Sequence, residues 1–202
     1  MDIREWQGLL AKVSEKIVSE KIFQSEDFST KTQRAANWVG KPGATEAEIR
    51  GLEQRLLCTL PPSYRSFLAT SNGFGPISPF IYDLYSTAEV DWLMNVEPEL
   101  VDRWEEDPTP ADNPALADEE YLRYDDQRIE GILKPTHLRQ CLMISNWGDA
   151  GFLALNPAQQ HEGEWEAWHF ANWMPGAQRY RSFAELMQSS YREYVALRQG
   201  DE

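Results

Sequence analysis

The sequence has few cysteines and no long apolar run. Cys58 and Cys141 are the two cysteines among 202 residues, too few and too far apart for a disulfide framework or a zinc site. We expect both to serve as small apolar side chains. No apolar stretch reaches the ~18 residues that a membrane-spanning helix needs. Charged residues interrupt residues 1–13, where a secretory signal would have its apolar block. These absences predict a cytoplasmic protein that does not insert into a membrane.

The motifs of the common enzyme classes are also missing. The sequence contains no G-x-S-x-G elbow, no P-loop, no H-E-x-x-H sequence and no dinucleotide-binding fingerprint. The paired carboxylates Asp125-Asp126 and Glu119-Glu120 lie in a polar, proline-flanked segment, where adjacent acids are usually solvated rather than catalytic. We therefore expect a protein that is not an enzyme, has no catalytic residues and needs no cofactor. An enzyme would require a buried, convergent polar site.

Two histidines provide the best candidate metal site. His161 and His169 flank Glu162, Glu164 and Glu166, and these residue types are common zinc ligands. Alternate residues of a strand share a face, however, and His161 falls in the preceding turn, so the ligand atoms need not converge. We interpret the pair as an exposed turn histidine and a sheet histidine, and we expect no metal site.

Positive charge is scarce in the middle of the chain. The net charge is −14, and residues 83–130 alone contain 16 acidic and 3 basic residues, a local net charge of −13. A field of this sign repels phosphate backbones, so we expect no direct binding to nucleic acid. The same field would attract a basic protein and speed its encounter. The alternative is that the acids only keep a small protein soluble.

Aromatic residues stand among these acids. Residues 96–113 are acidic and punctuated by prolines, and they are predicted to form an irregular loop that carries Trp104. Such a surface would offer a partner rich in Lys and Arg both steering charge and apolar anchors. A solvated acidic loop is the alternative. The predicted partner-binding residues are Asp102, Trp104, Glu105, Glu106, Asp107, Glu119, Glu120, Tyr121, Tyr124, Asp125 and Asp126.

The other tryptophans divide between core and surface. Trp147 and Trp173 are predicted to lie in loops, where they either anchor a partner or pack at the edge of a sheet. Trp165 and Trp168 point to opposite sides of one strand, so one of them can be exposed if the sheet has a free face. Those on apolar faces, expected in the core, are Trp6, Trp38 and Trp92.

The N-terminal half has the residue spacing of helices. Residues 2–23 are predicted to form the first helix, because their apolar residues recur at helical intervals. Thr45 and Glu48 fit a capping box that opens another helix. Residues 60–62, Leu-Pro-Pro, end that helix and start the next, which Asn72-Gly73 is predicted to end. The buried face of this last helix is predicted to be Tyr64, Phe67 and Leu68.

The later sequence favours strands. The predicted strands cover residues 79–86, 140–145, 151–155 and 164–170, with a short helix over residues 87–94 and turns at residues 146–149 and 156–157. Ser182 and Glu185 fit a second capping box, which opens a final helix. Short strands with tight links predict an antiparallel meander. We therefore predict an α+β fold, with N-terminal helices and a C-terminal helix packed on one face of a mainly antiparallel sheet.

Two groups of residues carry a recognisable pattern: Gly43-Ala44-Thr45, Glu53, Leu60-Pro61, Tyr64, Phe67-Leu68 and Asn72-Gly73, and later Tyr85-Ser86, Gly148-Asp149, Leu155-Asn156 and Ser182-Phe183. In these residues the chain resembles the SUKH superfamily, whose best-known members are SMI/KNR-type proteins. The resemblance covers about residues 42–194, so we divide the chain into an N-terminal helical extension, residues 1–41, and one globular SUKH-like domain, residues 42–202. Departures are Asn156 where the family usually has Asp, Cys58 where glycine is common, and a turn less rich in glycine before the fourth strand.

The resemblance implies a binding module without catalytic residues. Bacterial members of the superfamily are regarded as immunity proteins that neutralise toxins of contact-dependent competition, many of which are nucleases. Fungal members resemble regulators of cell-wall synthesis and signalling. We therefore expect an immunity protein that binds a basic toxin through residues 83–130. The alternative is a regulatory scaffold that binds endogenous proteins.

Overall fold

The computed structural model describes residues 1–20, 23, 29–78, 80–81, 83–106, 118–125, 128–149 and 151–199. None of the helices in this part of the chain is both long and apolar enough to cross a membrane. The helices are α1 (Ile3–Ser19), α2 (Lys31–Ala36), α3 (Glu46–Leu56), α4 (Pro62–Thr70), α5 (Leu93–Val96), α6 (Pro98–Glu106), α7 (Asp118–Tyr121), α8 (Pro135–Leu138) and α9 (Phe183–Gln199). The strands are β1 (Asp91–Trp92), β2 (Leu142–Met143), β3 (Gly151–His161), β4 (Glu164–Ala171) and β5 (Ala177–Tyr180).

Helix α1 confirms the predicted N-terminal helix and belongs to the main core. Trp6 is fully buried, and its ring lies 5.5 Å from that of Phe67 in α4 and 5.4 Å from that of Phe183 in α9. Its indole N–H donates to the Ser63 carbonyl oxygen at 3.1 Å. The first helix of the extension is therefore packed against helices of the SUKH-like domain.

Helices α3 and α4 start as the sequence predicts. The Thr45 hydroxyl accepts from the Glu48 backbone N–H, and the Glu48 carboxylate accepts from the Thr45 N–H, which completes the capping box. Helix α4 begins at Pro62 without a side-chain cap from Pro61. Instead, Glu164 of β4 accepts from the backbone N–H of Ser63 at 2.9 Å, so a strand residue satisfies the helix terminus.

The predicted end of α4 needs correction. The helix ends at Thr70, and the capping residue Ser71 is extended, with φ −148°. Gly73 does have a positive φ, +92°, but it lies beyond the helix end. There it turns the chain toward Phe74, which forms an isolated bridge with Leu84.

The sheet is an antiparallel meander, as predicted, with strand order β1-β2-β3-β4-β5. The hairpin of β3 and β4 is its longest pairing. Its two turn residues, Glu162 and Gly163, both have positive φ, 51° and 81°. This combination matches the right-handed twist of the flanking strands. Strand β5 was not predicted from the sequence.

The turn predicted at Asn156-Pro157 is wrong, because β3 continues through both residues. Asn156 pairs with Glu166 while Gln160 pairs with Trp165, so the register shifts between them and the intervening residues form a bulge. Proline cannot donate to a strand ladder and is tolerated in a bulge. The proline therefore marks an irregularity within the strand rather than its end.

Three other element predictions are also corrected. The described residues of the range 79–86 form no strand but only a bridge from Leu84 to Phe74 and Ser145. The range 87–94 contains a turn and β1 before α5 begins at Leu93. Residues 98–106 are helical, not irregular. Pro98 is the first residue of α6, a position where proline's missing N–H costs nothing.

Both faces of the sheet are covered, where the sequence suggested helices on one face. Trp165 of β4 lies in the cluster formed with α1, α3, α4 and α9. Trp168 lies in a second cluster, to which α5, α6 and α8 contribute Leu93, Val101 and Leu138. Neither tryptophan is exposed, because each face of β4 packs against its own set of helices. The fold is thus α+β, with a helical layer on either side of the sheet.

The packing of Trp6 predicts that α1 is needed for stability. The variant Trp6→Ala should lower the free energy of unfolding by about 3–5 kcal/mol, because it removes a large buried side chain and leaves a cavity. Urea denaturation followed by circular dichroism measures this loss. As a control, Ile3→Ala changes an exposed residue of the same helix and should cost less than about 1 kcal/mol. Equal small effects of both variants would contradict the assignment of α1 to the core.

Candidate partner-binding site

Glu166, a buried carboxylate on β4, organises the face of the sheet that contacts Tyr121 and Tyr124. Glu166 is 1% exposed, and a charge buried in this way is costly unless it is paired and hydrogen-bonded. Here five side chains donate to it. Oε1 accepts from Arg179 Nη1 (2.9 Å) and Tyr124 Oη (2.8 Å), and Oε2 accepts from Trp168 Nε1 (2.7 Å), Asn156 Nδ2 (2.9 Å) and Tyr121 Oη (3.3 Å).

The counter-charge is equally enclosed. Arg179 of β5 is 3% exposed, and its guanidinium lies 3.8 Å from the centre of the Tyr121 ring and 5.4 Å from that of Tyr124. A guanidinium over an aromatic face is attracted to the ring, most strongly where water is excluded. Both tyrosines therefore contact the acid through their hydroxyls and the arginine through their rings.

These contacts hold part of the acidic residues 83–130 against the sheet. We call residues 118–125 the tyrosine segment, since Tyr121 and Tyr124 hold it in place. Burial raises the pKa of both phenols above the ordinary value, and the nearby Glu166 carboxylate adds to the shift. The hydroxyls therefore remain protonated donors to Glu166 throughout the physiological range.

The far end of the network is neutral. Asn156 Nδ2 lies 3.0 Å from His137 Nδ1 as well as donating to Glu166. Burial lowers the pKa of His137 below its usual value, so the uncharged imidazole can accept at Nδ1. The Glu166–Arg179 pair is thus the only ion pair among the described side chains of this network.

A cleft of about 500 Å³ lies between the tyrosine segment and α9. Its lining carries three carboxylates and two guanidinium groups. Arg128 is held by Glu130 at 3.4 Å and lies over the Tyr180 ring at 5.7 Å, which offsets part of the acidic charge. The residues that give the cleft its polar character are Tyr124, Asp125, Arg128, Glu130, Glu185 and Arg192.

Two predicted anchors do not lie at the surface as expected. Trp104 is part of α6 rather than a loop, and its ring packs edge-on against Phe170 at 5.5 Å. It is half-buried beside the second core cluster. Tyr121 is 1% exposed. Both side chains pack within the protein, because α6 and the tyrosine segment lie over the second face of the sheet.

Two of the predicted acids have an internal partner. The Arg139 guanidinium lies 2.7 Å from Asp102 and 2.7 Å from Glu105. The hydrogen bonds that Arg139 donates to Glu105 and Asp102 raise the pKa of its guanidinium. At this exposed position the contacts are screened by water and contribute little to stability. Their main effect is to reduce the negative field of α6.

Four of the predicted acids are exposed to solvent. They are Asp102 and Glu106 on α6 and Glu120 and Asp125 in the tyrosine segment. We call these four residues the acidic surface. Tyr124 is half-buried at the edge of the cleft. Outside the described residues lie Asp107, Asp126 and the side chain of Glu119.

The two histidines of the candidate metal site lie in different parts of the β3–β4 hairpin. His161 is exposed at the β3–β4 turn, whereas His169 lies within β4 and pairs with Leu153. No group of three or more potential metal ligands occurs in the part of the chain that the structure describes. Trp147 packs against Phe152 at 4.9 Å, so its role is edge packing, whereas Trp173 is 56% exposed.

Sequence reasoning missed the Glu166–Arg179 pair, although one signal was present. Glu166, Trp168 and Phe170 alternate along a strand and therefore share a face, so a charge at the first position predicts a buried partner. Arg179 follows on the next strand, which was itself not predicted. The two tyrosines were recognised, but as surface anchors.

With this geometry in place, the family can be assigned. The sequence profile of the SMI1 / KNR4 family (SUKH-1) matches residues 43–189. The chain belongs to this family. The match begins just before α3 and extends into α9, so α1 and α2 lie outside it. Among curated proteins, none matches the chain. The SUKH family is known for immunity proteins and related binding modules.

The family motif residues act in the scaffold. Tyr64, Phe67 and Leu68 are fully buried in the first core cluster, as predicted. A side chain at Gly43 would overlap the Ala69 carbonyl, and one at Gly148 would overlap the carbonyl of the Phe80 loop, so both positions require glycine.

One departure from the SUKH pattern has a physical explanation. The Asn156 amide donates to Glu166, whereas the aspartate usual in the family would put a second carboxylate beside it. The asparagine therefore suits the buried acid of this chain.

The buried pair predicts a large effect of neutralising Glu166. The variant Glu166→Gln should lower the free energy of unfolding by about 3–5 kcal/mol, because it leaves the Arg179 charge buried without its partner. Chemical denaturation measures the loss. The same change at an exposed acid, Glu120→Gln, should cost less than about 0.5 kcal/mol. A loss below about 1 kcal/mol for Glu166→Gln would show that the network does not hold this side of the sheet.

His169 predicts a pH dependence of stability. Burial lowers its pKa from 6.5 to about 4, so the unfolded chain takes up a proton at higher pH than the folded protein does. Above pH 6.5 His169 is neutral in both states and does not lower the free energy of unfolding. As the pH falls from 6.5 toward 4, its protonation in the unfolded chain lowers the free energy of unfolding by up to about 1.4 kcal/mol per pH unit. Denaturation curves of the wild type and His169→Gln should therefore converge between pH 6.5 and 4. His161→Gln, at an exposed position, should follow the wild type; a parallel course for His169→Gln would contradict the assignment.

Proposed function

We propose that this SUKH-1 protein is an immunity protein that binds a basic toxin domain through the acidic surface and blocks its active face. The observation that carries the proposal is the anchoring of the tyrosine segment. Tyr121 and Tyr124 point inward to Glu166 and Arg179, while Glu120 and Asp125 of the same segment are exposed. The acids are thus presented from a backbone that is already ordered.

Preorganisation matters because binding costs free energy when side chains and loops must be ordered. Acids held on a fixed backbone avoid part of that cost. Their field adds to that of the whole region, which has a net charge of −13 over residues 83–130. Such a field raises the rate of encounter with a positively charged partner and suppresses encounter with other acidic proteins.

A nuclease toxin fits this chemistry. A surface that binds a phosphate backbone is rich in Lys and Arg, and an ordered array of carboxylates can occupy it in place of nucleic acid. The cleft beside Asp125 and Glu130 offers a place for one long basic side chain of the partner. On this proposal the protein works by occlusion in the cytoplasm, and it performs no chemistry itself.

Charge reversal on the acidic surface tests the proposal. The double variant Glu106→Lys/Asp125→Lys should bind the toxin domain encoded beside its gene at least tenfold more weakly, a loss of about 1.4 kcal/mol. The affinity of the wild type should fall as salt is raised, and the variant should show a smaller fall. Isothermal titration calorimetry at two salt concentrations measures both quantities.

A matched control distinguishes the effect of the acidic surface on binding from the effect of the protein's total charge. Glu15→Lys/Glu162→Lys changes the total charge by the same amount at two exposed positions on α1 and the β3–β4 turn, and it should bind as the wild type does. Equal affinity and equal salt dependence of all three proteins would refute the docking site. A toxin gene whose product neither binds nor is neutralised would favour the regulatory scaffold instead.

A further inference from the structure

A second surface, on the opposite flank of α9, exposes apolar side chains together. Phe80 is 38% exposed, Trp173 56% and Leu197 59%. The Phe80 and Trp173 rings lie 5.9 Å apart, and Phe80 and Leu197 line the same shallow cavity of about 60 Å³. Single exposed apolar residues are common, but a contiguous group of them marks an interaction site.

The geometry of α9 explains why this group is uncovered. The buried stripe of the helix runs through Phe183, Met187 and Tyr194 at helical spacing. Leu197 continues the stripe by one more position. There the neighbouring elements are the Phe80 loop and His169 rather than another helix, so the last apolar residue of the stripe remains in contact with solvent.

One exposed acid lines this groove and another lies next to Phe80. Glu193 is the charged residue among the described side chains that line it, and its carboxylate is exposed. The exposed Asp149 lies next to Phe80, whose carbonyl oxygen accepts from the Asp149 backbone N–H at 3.0 Å. His169 in the wall adds no positive charge at neutral pH, because burial lowers its pKa to about 4.

We propose that the groove lined by Phe80 and Leu197, with Trp173 packed beside Phe80, binds an aliphatic side chain of a partner protein, presented by a segment with flanking lysines or arginines. The apolar residues supply the anchor, and Glu193 and Asp149 select the flanking charges. The groove contains none of the residues of the acidic surface, which lie on α6 and on the tyrosine segment. The two surfaces use different residues of α9: Glu185 and Arg192 line the cleft, whereas Glu193 and Leu197 line the groove.

A second copy of the chain fits the groove less well. Each molecule has a net charge of −14, and two copies docked through this groove would bring Glu193 and Asp149 of one near those of the other. Like charges across an interface cost free energy and suppress that pairing. Charge complementarity therefore selects a basic partner.

Titration with synthetic peptides tests the groove on the full-length protein. The probe is a twelve-residue helical peptide with leucines at two positions four apart, flanked by lysines. Two control peptides replace the leucines with serine or the lysines with glutamate. The readout is the indole N–H resonance of Trp173, assigned by its loss in Trp173→Phe. The Lys–Leu peptide should shift this resonance to saturation, with a Kd at least tenfold lower than that of either control peptide.

Matched protein variants locate the binding. Leu197→Ser should raise the Kd of the Lys–Leu peptide at least fivefold, whereas Leu57→Ser, at a leucine that is 92% exposed elsewhere, should leave it unchanged. If the Lys–Ser peptide bound as tightly as the Lys–Leu peptide, net charge alone would explain the binding and the proposal would be overturned. A Trp173 resonance that the Lys–Leu peptide does not shift would overturn it too. A wild-type dimer that Leu197→Ser dissociates in sedimentation equilibrium would assign the groove to a second copy. No toxin takes part, so failure here would leave the proposed function intact.

Discussion

The position of the tyrosine segment depends on one buried ion pair, Glu166 with Arg179. A carboxylate at an inward position of a strand must be matched by donors, or it destabilises the fold. The donors come from β3, β4, β5 and the tyrosine segment. The hydrogen bonds to Glu166 therefore link three strands and hold Tyr121 and Tyr124 against the sheet. This requirement places Glu120 and Asp125 of the acidic surface, whereas Asp102 and Glu106 lie on α6, which packs through Val101 and Trp104.

This arrangement separates two uses of the same segment. Aromatic side chains point inward and order the backbone, whereas exposed acids such as Glu120 and Asp125 face solvent. A binding module benefits from that division, because its charges are held in place before the partner arrives. The family scaffold lies on the other face, where Tyr64 and Phe67 pack against Trp6 and Phe183. On the proposed function, the residues that contact the toxin can change without altering the first core cluster.

Local signals in the sequence predicted local structure well. The capping box of Thr45 and the buried face of α4 follow from contacts within a few residues, and both are confirmed. Prolines were misread because their effect depends on position: Pro98 starts a helix and Pro157 occupies a bulge. The site depends on long-range pairing, since Tyr121 reaches Glu166 from 45 residues away. No periodicity reports such a contact, so the tyrosine was expected at the surface.

The proposed docking of the toxin on the tyrosine segment is tested most directly by hydrogen–deuterium exchange of the complex. Amides of the described residues 118–125 and 128–130 should exchange at least tenfold more slowly when the toxin domain is bound. Those of α2 and α3 should not change. Protection confined to other elements, with no change in residues 118–130, would contradict the account.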